Sequence, residues 1–139
     1  MRRQSGNLGQ GGGGTSYATP IVAGIQALVN QKMADRQGNP NPVYYRLAAR
    51  EYGDAGNSSC DSSRGTAGGK DCVFHDVTAG NDSQDCAGPY YCYQPAGRYG
   101  VMSKSDEFYQ PAFQTHPGYD YPTGIGTIDA ANLVNAWDW

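Results

Sequence analysis

The stretch Gly11–Gly24, GGGGTSYATPIVAG, sets a few hydroxyls between a glycine run and an apolar segment. Ser16 is the residue there that can do covalent chemistry, since a serine hydroxyl becomes a nucleophile once a base takes its proton. Thr19 and Pro20 suit a first helical turn, because proline's fixed φ and missing N–H cost nothing there, and Ile21, Val22, Ile25, Leu28 and Val29 follow at helical spacing. This predicts a helix from Thr19 to about Arg36, with Ser16 at or just before its N-terminus. Free backbone N–H groups and the positive end of the helix dipole meet at such a point and favour negative charge developing on an oxygen, as acyl transfer requires. The apolar residues recur almost all round the helix, which is the pattern of one buried on most of its surface. An ordinary N-cap behind a flexible glycine loop uses the same residue types, so on these alone both readings stay open.

Two carboxylates stand out further along. Asp76 lies in Phe74-His75-Asp76-Val77-Thr78-Ala79-Gly80 and Asp120 in Pro117-Gly118-Tyr119-Asp120-Tyr121-Pro122-Thr123-Gly124-Ile125-Gly126, both turns bordered by glycine. Calcium takes about six to eight oxygens at ~2.3–2.6 Å and accepts backbone carbonyls as readily as carboxylates, and turns are where carbonyls converge. Aspartate is also a common turn residue, so here too the bare residues leave a structural role open. His75 and His116 are the only histidines; His75, in a short strand ending at Asp76, is expected to face solvent.

Positioning these groups falls to few elements. Gln37-Gly38-Asn39-Pro40 ends the first helix, and Asn41-Pro42 starts a second through about Tyr52, with Tyr44, Leu47 and Ala48 on one face and Gly53 closing it. Thr127 to Trp139 reads as a last helix with Asp129 near its start. Residues 54–71 and 81–100 read as long loops, and the tyrosines at 90, 91, 93 and 99 as covering a loop's underside or forming an aromatic patch. Cys60, Cys72, Cys86 and Cys92 have no zinc-site spacing, which leaves disulfides and hence export. Pairing Cys60 with Cys72 and Cys86 with Cys92 closes a short loop in each case.

At 139 residues the chain has room for one core, and its 20 glycines and mean hydropathy of −0.65 describe a polar, loop-rich protein. A net charge of −3 and a pI near 5.1 argue against nucleic acid as partner. No apolar run approaches the ~18 residues of a membrane span, and MRRQSGNLGQ lacks the apolar core of a signal peptide. Residues 1–12 are expected to be a flexible leader, either an ordinary linker or the non-native product of a truncated or misjoined gene.

Gly14-Thr15-Ser16, Ala18-Thr19-Pro20 and Ala23-Gly24 together resemble the nucleophile segment shared by the subtilisin and sedolisin families of serine peptidases. Ile21 stands where subtilisins usually carry histidine. The segments around Asp76 and Asp120 resemble the sedolisin patterns F-x-D-[I/V]-T-x-G and P-G-[W/Y]-D-x-x-T-G-x-G, in the family's order. Residues 13–139 are therefore identified as similar to the C-terminal portion of a sedolisin, or serine-carboxyl peptidase, catalytic domain. The resemblance implies an α/β, subtilisin-like fold in which a buried central helix follows the nucleophile, and Ser16 as the residue that forms an acyl-enzyme on polypeptide substrates. It implies calcium held by the carboxylates of Asp76 and Asp120 and the carbonyls of Val77, His116 and Gly118, plus water. His116 replaces a residue that is usually glycine. The family's catalytic glutamate and aspartate and its oxyanion aspartate precede the serine, so the resemblance implies a missing N-terminal part and propeptide, a secreted acid-active whole and an inactive fragment. A subtilisin fragment and a non-catalytic calcium-stabilised module are the alternatives.

Overall fold

The structure, a computed structural model, describes residues 14–138. The expected leader over residues 1–12 lies outside the described residues. Backbone packing divides the chain into two units, Met1–Gly38 and Asn39–Trp139.

In the first unit α1 spans Thr15–Met33. It begins four residues earlier than the spacing predicts, so Pro20 falls inside the helix instead of at its start. Proline has no N–H to offer the Ser16 carbonyl four residues back, which loosens the ladder at that point. The Thr19 hydroxyl donates to the Thr15 carbonyl at 2.7 Å in the same turn. The helix also ends sooner than Arg36, at Ala34 in the left-handed region with φ of 54°. Local side-chain bonds compete with the ladder there: Asp35 Oδ1 accepts the Arg36 N–H at 2.7 Å and Asn30 Oδ1 the Gln37 N–H at 3.3 Å. The cover expected over this helix is not supplied by the described residues. Val29 is fully buried, but Ile21 is 64% and Leu28 50% exposed. A helix that is apolar all round needs cover on several sides, and the described residues supply no large sheet to give it.

The second unit is mixed helix and small antiparallel sheet. Helix α2, Asn41–Tyr52, starts at Asn41-Pro42 and closes at Gly53 as its sequence dictates. It buries Val43, Tyr44, Leu47, Ala48 and Tyr52, one stripe at helical spacing. Strand β1, Phe74–His75, pairs antiparallel with the strand Thr127–Ile128, Phe74 opposite Ile128. Thr127 and Ile128 were expected in the last helix; their backbone is taken by β1, and the helix is shorter, Ala130–Ala136, with Asp129 capping it through a 2.8 Å bond from the Asn132 N–H. Tyr44 is central to the core, edge-on to Trp137 at 5.5 Å and to Phe74 at 6.5 Å between ring centres. Leu133 and Phe74 are fully buried beside them.

Both disulfides form as the short loops predict, Cys60–Cys72 and Cys86–Cys92. Each is of a size that stabilises by about 2–3 kcal/mol in the chain-entropy account, and both fit an oxidising compartment. No helix among the described residues is long and apolar enough to cross a membrane.

Candidate active site and cation site

Ser16 is the second residue of α1 and is exposed. Gly14 precedes the helix at φ 97°, a conformation open to glycine, and its carbonyl accepts the Tyr17 N–H at 3.0 Å. The N–H groups of Thr15 and Ser16 have no acceptor within the helix, and about half a positive charge is concentrated at that end. An oxygen beside Ser16 thus meets donors and a favourable field. A base is another matter. Asp35 is the one acidic residue of Met1–Gly38, and it lies beyond the far end of α1, a helix about 28 Å long.

In the second unit the structure brings Asp76 onto the turn that holds Gly118 and Asp120. The Gly118 N–H donates to Asp76 Oδ2 at 2.7 Å, and the His116 N–H to Asp120 Oδ2 at 3.1 Å. Asp120 Oδ1 takes the Thr123 N–H and hydroxyl, both at 2.8 Å. Both aspartates are only 1% exposed. Asp76 Oδ1 is buried and accepts no hydrogen bond, which is the anomaly of the site. Val77 follows Asp76 directly in the chain. Positive φ outside glycine is confined, among the described residues, to Ala34 and Tyr91. His116 therefore stands in for glycine without strain. Gly56, at φ 76°, lets its loop close on this turn, since a Cβ there would stand 2.7 Å from that of Pro117.

The electrostatics separate the two carboxyls. Burial pushes that of Asp76 above the usual aspartate value despite the Gly118 N–H, and the nearby carboxylates of Asp120 and Asp61 add to the rise. For Asp120 burial acts upward too, but the Thr123 N–H and hydroxyl and the His116 N–H together hold it below the usual value.

Residues 81–113 interrupt the sequence between the two aspartates, and the fold shows how they do so without disturbing them. Thr115 N–H bonds to the Gly80 carbonyl at 3.1 Å, Asp82 N–H to that of Phe113 at 3.1 Å, and Asn81 pairs antiparallel with Gln114. The excursion closes at this neck, one residue short of His116. Its three strands, Asp85–Cys86 (β2), Cys92–Tyr93 (β3) and Gly100–Met102 (β4), form a separate antiparallel sheet in the order β2-β4-β3. Tyr90, Tyr91 and Tyr99 are 78%, 69% and 72% exposed, so these three do not cover the underside of a loop.

Sequence reasoning missed two contributors. Glu51, in the last turn of α2, accepts the Val73 N–H at 2.7 Å and the Phe74 N–H at 2.8 Å and so fixes the strand that leads to Asp76. Its carboxylate also lies close to Cys60 and Cys72, but those sulfurs are joined to each other and are not metal-binding thiolates. Asp61 lines a cavity of about 350 Å³ together with Asp76. Its carboxyl is held below the usual value, first by the Ser63 N–H. Neither residue falls in a recognisable motif.

No family model matches the chain, and no solved structure matches it. Among curated proteins it is similar to kumamolisin of Bacillus sp. (strain MN-32), 29% identical over 124 residues. That match takes in 89% of this chain and 14% of the kumamolisin chain, so the chain spans about one seventh of its relative's length. The chain is distantly related to the sedolisins, a family of serine peptidases.

Proposed function

We propose that this chain carries the nucleophile and the calcium site of a secreted serine-carboxyl endopeptidase. Ser16 Oγ bonds to the carbonyl carbon of a peptide, the C–N bond breaks as the leaving amine takes a proton, and water then releases the acyl group from Ser16. The observation that carries this reading is the place of Ser16 in the first turn of α1, beside N–H groups without helical acceptors. Those donors would oppose the charge that develops on the carbonyl oxygen.

The proton of Ser16 needs a base, and Asp35 is too distant to be one. By the family's pattern the base is a glutamate oriented by an aspartate, with a further aspartate at the oxyanion, all in a part of the protein preceding Ser16. Carboxylates gathered in one site cannot all ionise and share protons, which places the activity at acidic pH. The chain's partners are then polypeptide substrates, that preceding part and a propeptide.

Calcium would be held by Asp76 and Asp120 with the carbonyls of Val77, His116 and Gly118. The donor set is all oxygen, as calcium prefers. The unpartnered, buried Asp76 Oδ1 supports this, because an uncompensated carboxylate oxygen is costly unless a cation meets it. Bound calcium would supply the charge that neutralises two buried carboxylates and ties residues 74–80 to 116–126. A non-catalytic calcium-stabilised module is the second reading, favoured by the separation of Ser16 from Asp35.

The deciding experiment uses the product of the coding sequence extended upstream of Met1. It should digest casein at acidic pH and be labelled at Ser16 by a serine-directed phosphonate, with both lost in Ser16→Ala. Activity that survives Ser16→Ala overturns the assignment, and absence of labelling favours the module.

A further inference from the structure

Asp61 belongs to no motif and has no part in the ligand set above, yet the fold sets it beside Asp76. The Asp76 N–H bonds to the Cys60 carbonyl at 2.8 Å and the Ser62 N–H to the Asp76 carbonyl at 2.7 Å. These two bonds straddle Asp61 and make a parallel bridge between Asp61 and Asp76. The Cys60–Cys72 disulfide anchors the same segment one residue earlier. Asn57, Ser58, Asp61, Asp76, Thr78 and Pro117 share the lining of the 350 Å³ cavity. Asp76 is its buried wall and holds the Oδ1 without a partner, while Asp61 is half-buried and so is within reach of both cavity and water.

We infer that Asp61 is a third carboxylate of the cation site, acting on the ion across this cavity. The inference rests on the calcium reading of Asp76 and Asp120 and adds a residue to it. Asp61, Asp76 and Asp120 do not close into one cluster with their oxygens within 4.8 Å of each other, among the described residues, so the action of Asp61 is electrostatic and water-bridged. Asp61 Oδ1 is partly committed, since it accepts the Ser63 N–H at 2.8 Å. That bond fixes the carboxylate's orientation, as partners beyond the direct ligands do in other metal sites. Two carboxylates balance a divalent ion, and a third leaves an excess negative charge. Ligand charge count is one of the quantities that set affinity at oxygen sites. A third carboxylate therefore favours ions of higher charge, and a trivalent lanthanide should depend on Asp61 more than calcium does.

The test is titration of the 139-residue chain with calcium by calorimetry and with terbium by tyrosine-sensitised luminescence. Asp61→Asn keeps an amide oxygen for the Ser63 N–H, removes the charge and turns the other acceptor oxygen, which the Ser63 and Thr78 hydroxyls can reach, into a donor. It should weaken calcium about tenfold and terbium by more, with the circular dichroism spectrum unchanged. Asp61→Glu, which restores the charge, should recover most of the loss. If Asp61→Asn fails to fold, Asp61→Ser, which also keeps a capping oxygen, takes its place. Equal affinities in the wild type and the neutral variant overturn the role of Asp61 and leave the calcium site standing. If the wild type binds neither ion while native by circular dichroism, the calcium reading falls and this inference with it.

Discussion

Gly118 and Asp76, forty-two residues apart, are joined by a 2.7 Å hydrogen bond from the glycine N–H to one carboxylate oxygen, while the other oxygen of Asp76 stays buried and unpartnered. Metal-free protein therefore carries a penalty that calcium should remove. An unsatisfied buried acceptor costs about 1–3 kcal/mol, more when charged. Asp76→Asn should melt at or above the wild-type temperature in chelator and well below it in excess calcium, where a ligand at a hundred times its Kd adds about 2.7 kcal/mol to the wild type. Thermal unfolding of both proteins in both buffers checks this. A variant that is equally destabilised in chelator and in calcium contradicts it.

The pH dependence follows from the same carboxyl. The folded-state pKa of Asp76 is raised, so in chelator its contribution is favourable below the unfolded aspartate value, about 3.9, and is lost as pH rises through the folded value. Asp120, with its pKa lowered, contributes above that unfolded value and loses its contribution as pH falls through its own folded value. Calcium bound as proposed would require ionised Asp76. The calcium-induced rise in Tm should thus grow with pH across the window just above the ordinary aspartate pKa, and level off once Asp76 is ionised. Melting curves with and without calcium through that window provide the measurement.

Glu51 is the support of β1. Glu51→Ala strips the acceptor from two backbone N–H groups, those of Val73 and Phe74. At about 1–3 kcal/mol for each donor left unsatisfied, the loss is large against the marginal stability of a small unit. Glu51→Gln keeps one oxygen and should lose roughly half as much. Urea unfolding of the three proteins distinguishes this graded series from a surface charge of no consequence, which would leave both variants within about 0.5 kcal/mol of wild type.

Ser16 should be inert in the 139-residue chain. Its unit offers Asp35 as the one acidic side chain, beyond the opposite end of α1. Loss of a serine peptidase's base can cost on the order of a million-fold in kcat. Casein or fluorogenic-peptide digestion by the purified chain, from acid to neutral pH, should not differ from that of Ser16→Ala. Turnover dependent on Ser16 at any of these pH values would reveal a base within the chain itself.

What the sequence determined by itself is local. Asn41-Pro42 and Gly53 bound α2, because proline at a first turn and glycine past a last one act through their own backbone. The two disulfides close loops short enough to be read from spacing. The order of the Ser16, Asp76 and Asp120 segments was likewise legible, because each is a contiguous run. The start of α1 was not, since Pro20 fits a first turn and also sits inside a helix whose ladder can forgo one bond. Strands of two residues are too short to show alternation, so Thr127–Ile128 passed for helix until β1 took its backbone. Tertiary structure alone decided the neck that returns His116 to Asp76, the hold of Glu51 on β1 and the placing of Asp61 against Asp76. The neck and the placing of Asp61 join residues distant in sequence through backbone hydrogen bonds, whose N–H and C=O any residue type can supply, and the carboxylate of Glu51 meets backbone N–H groups that are just as anonymous in the sequence.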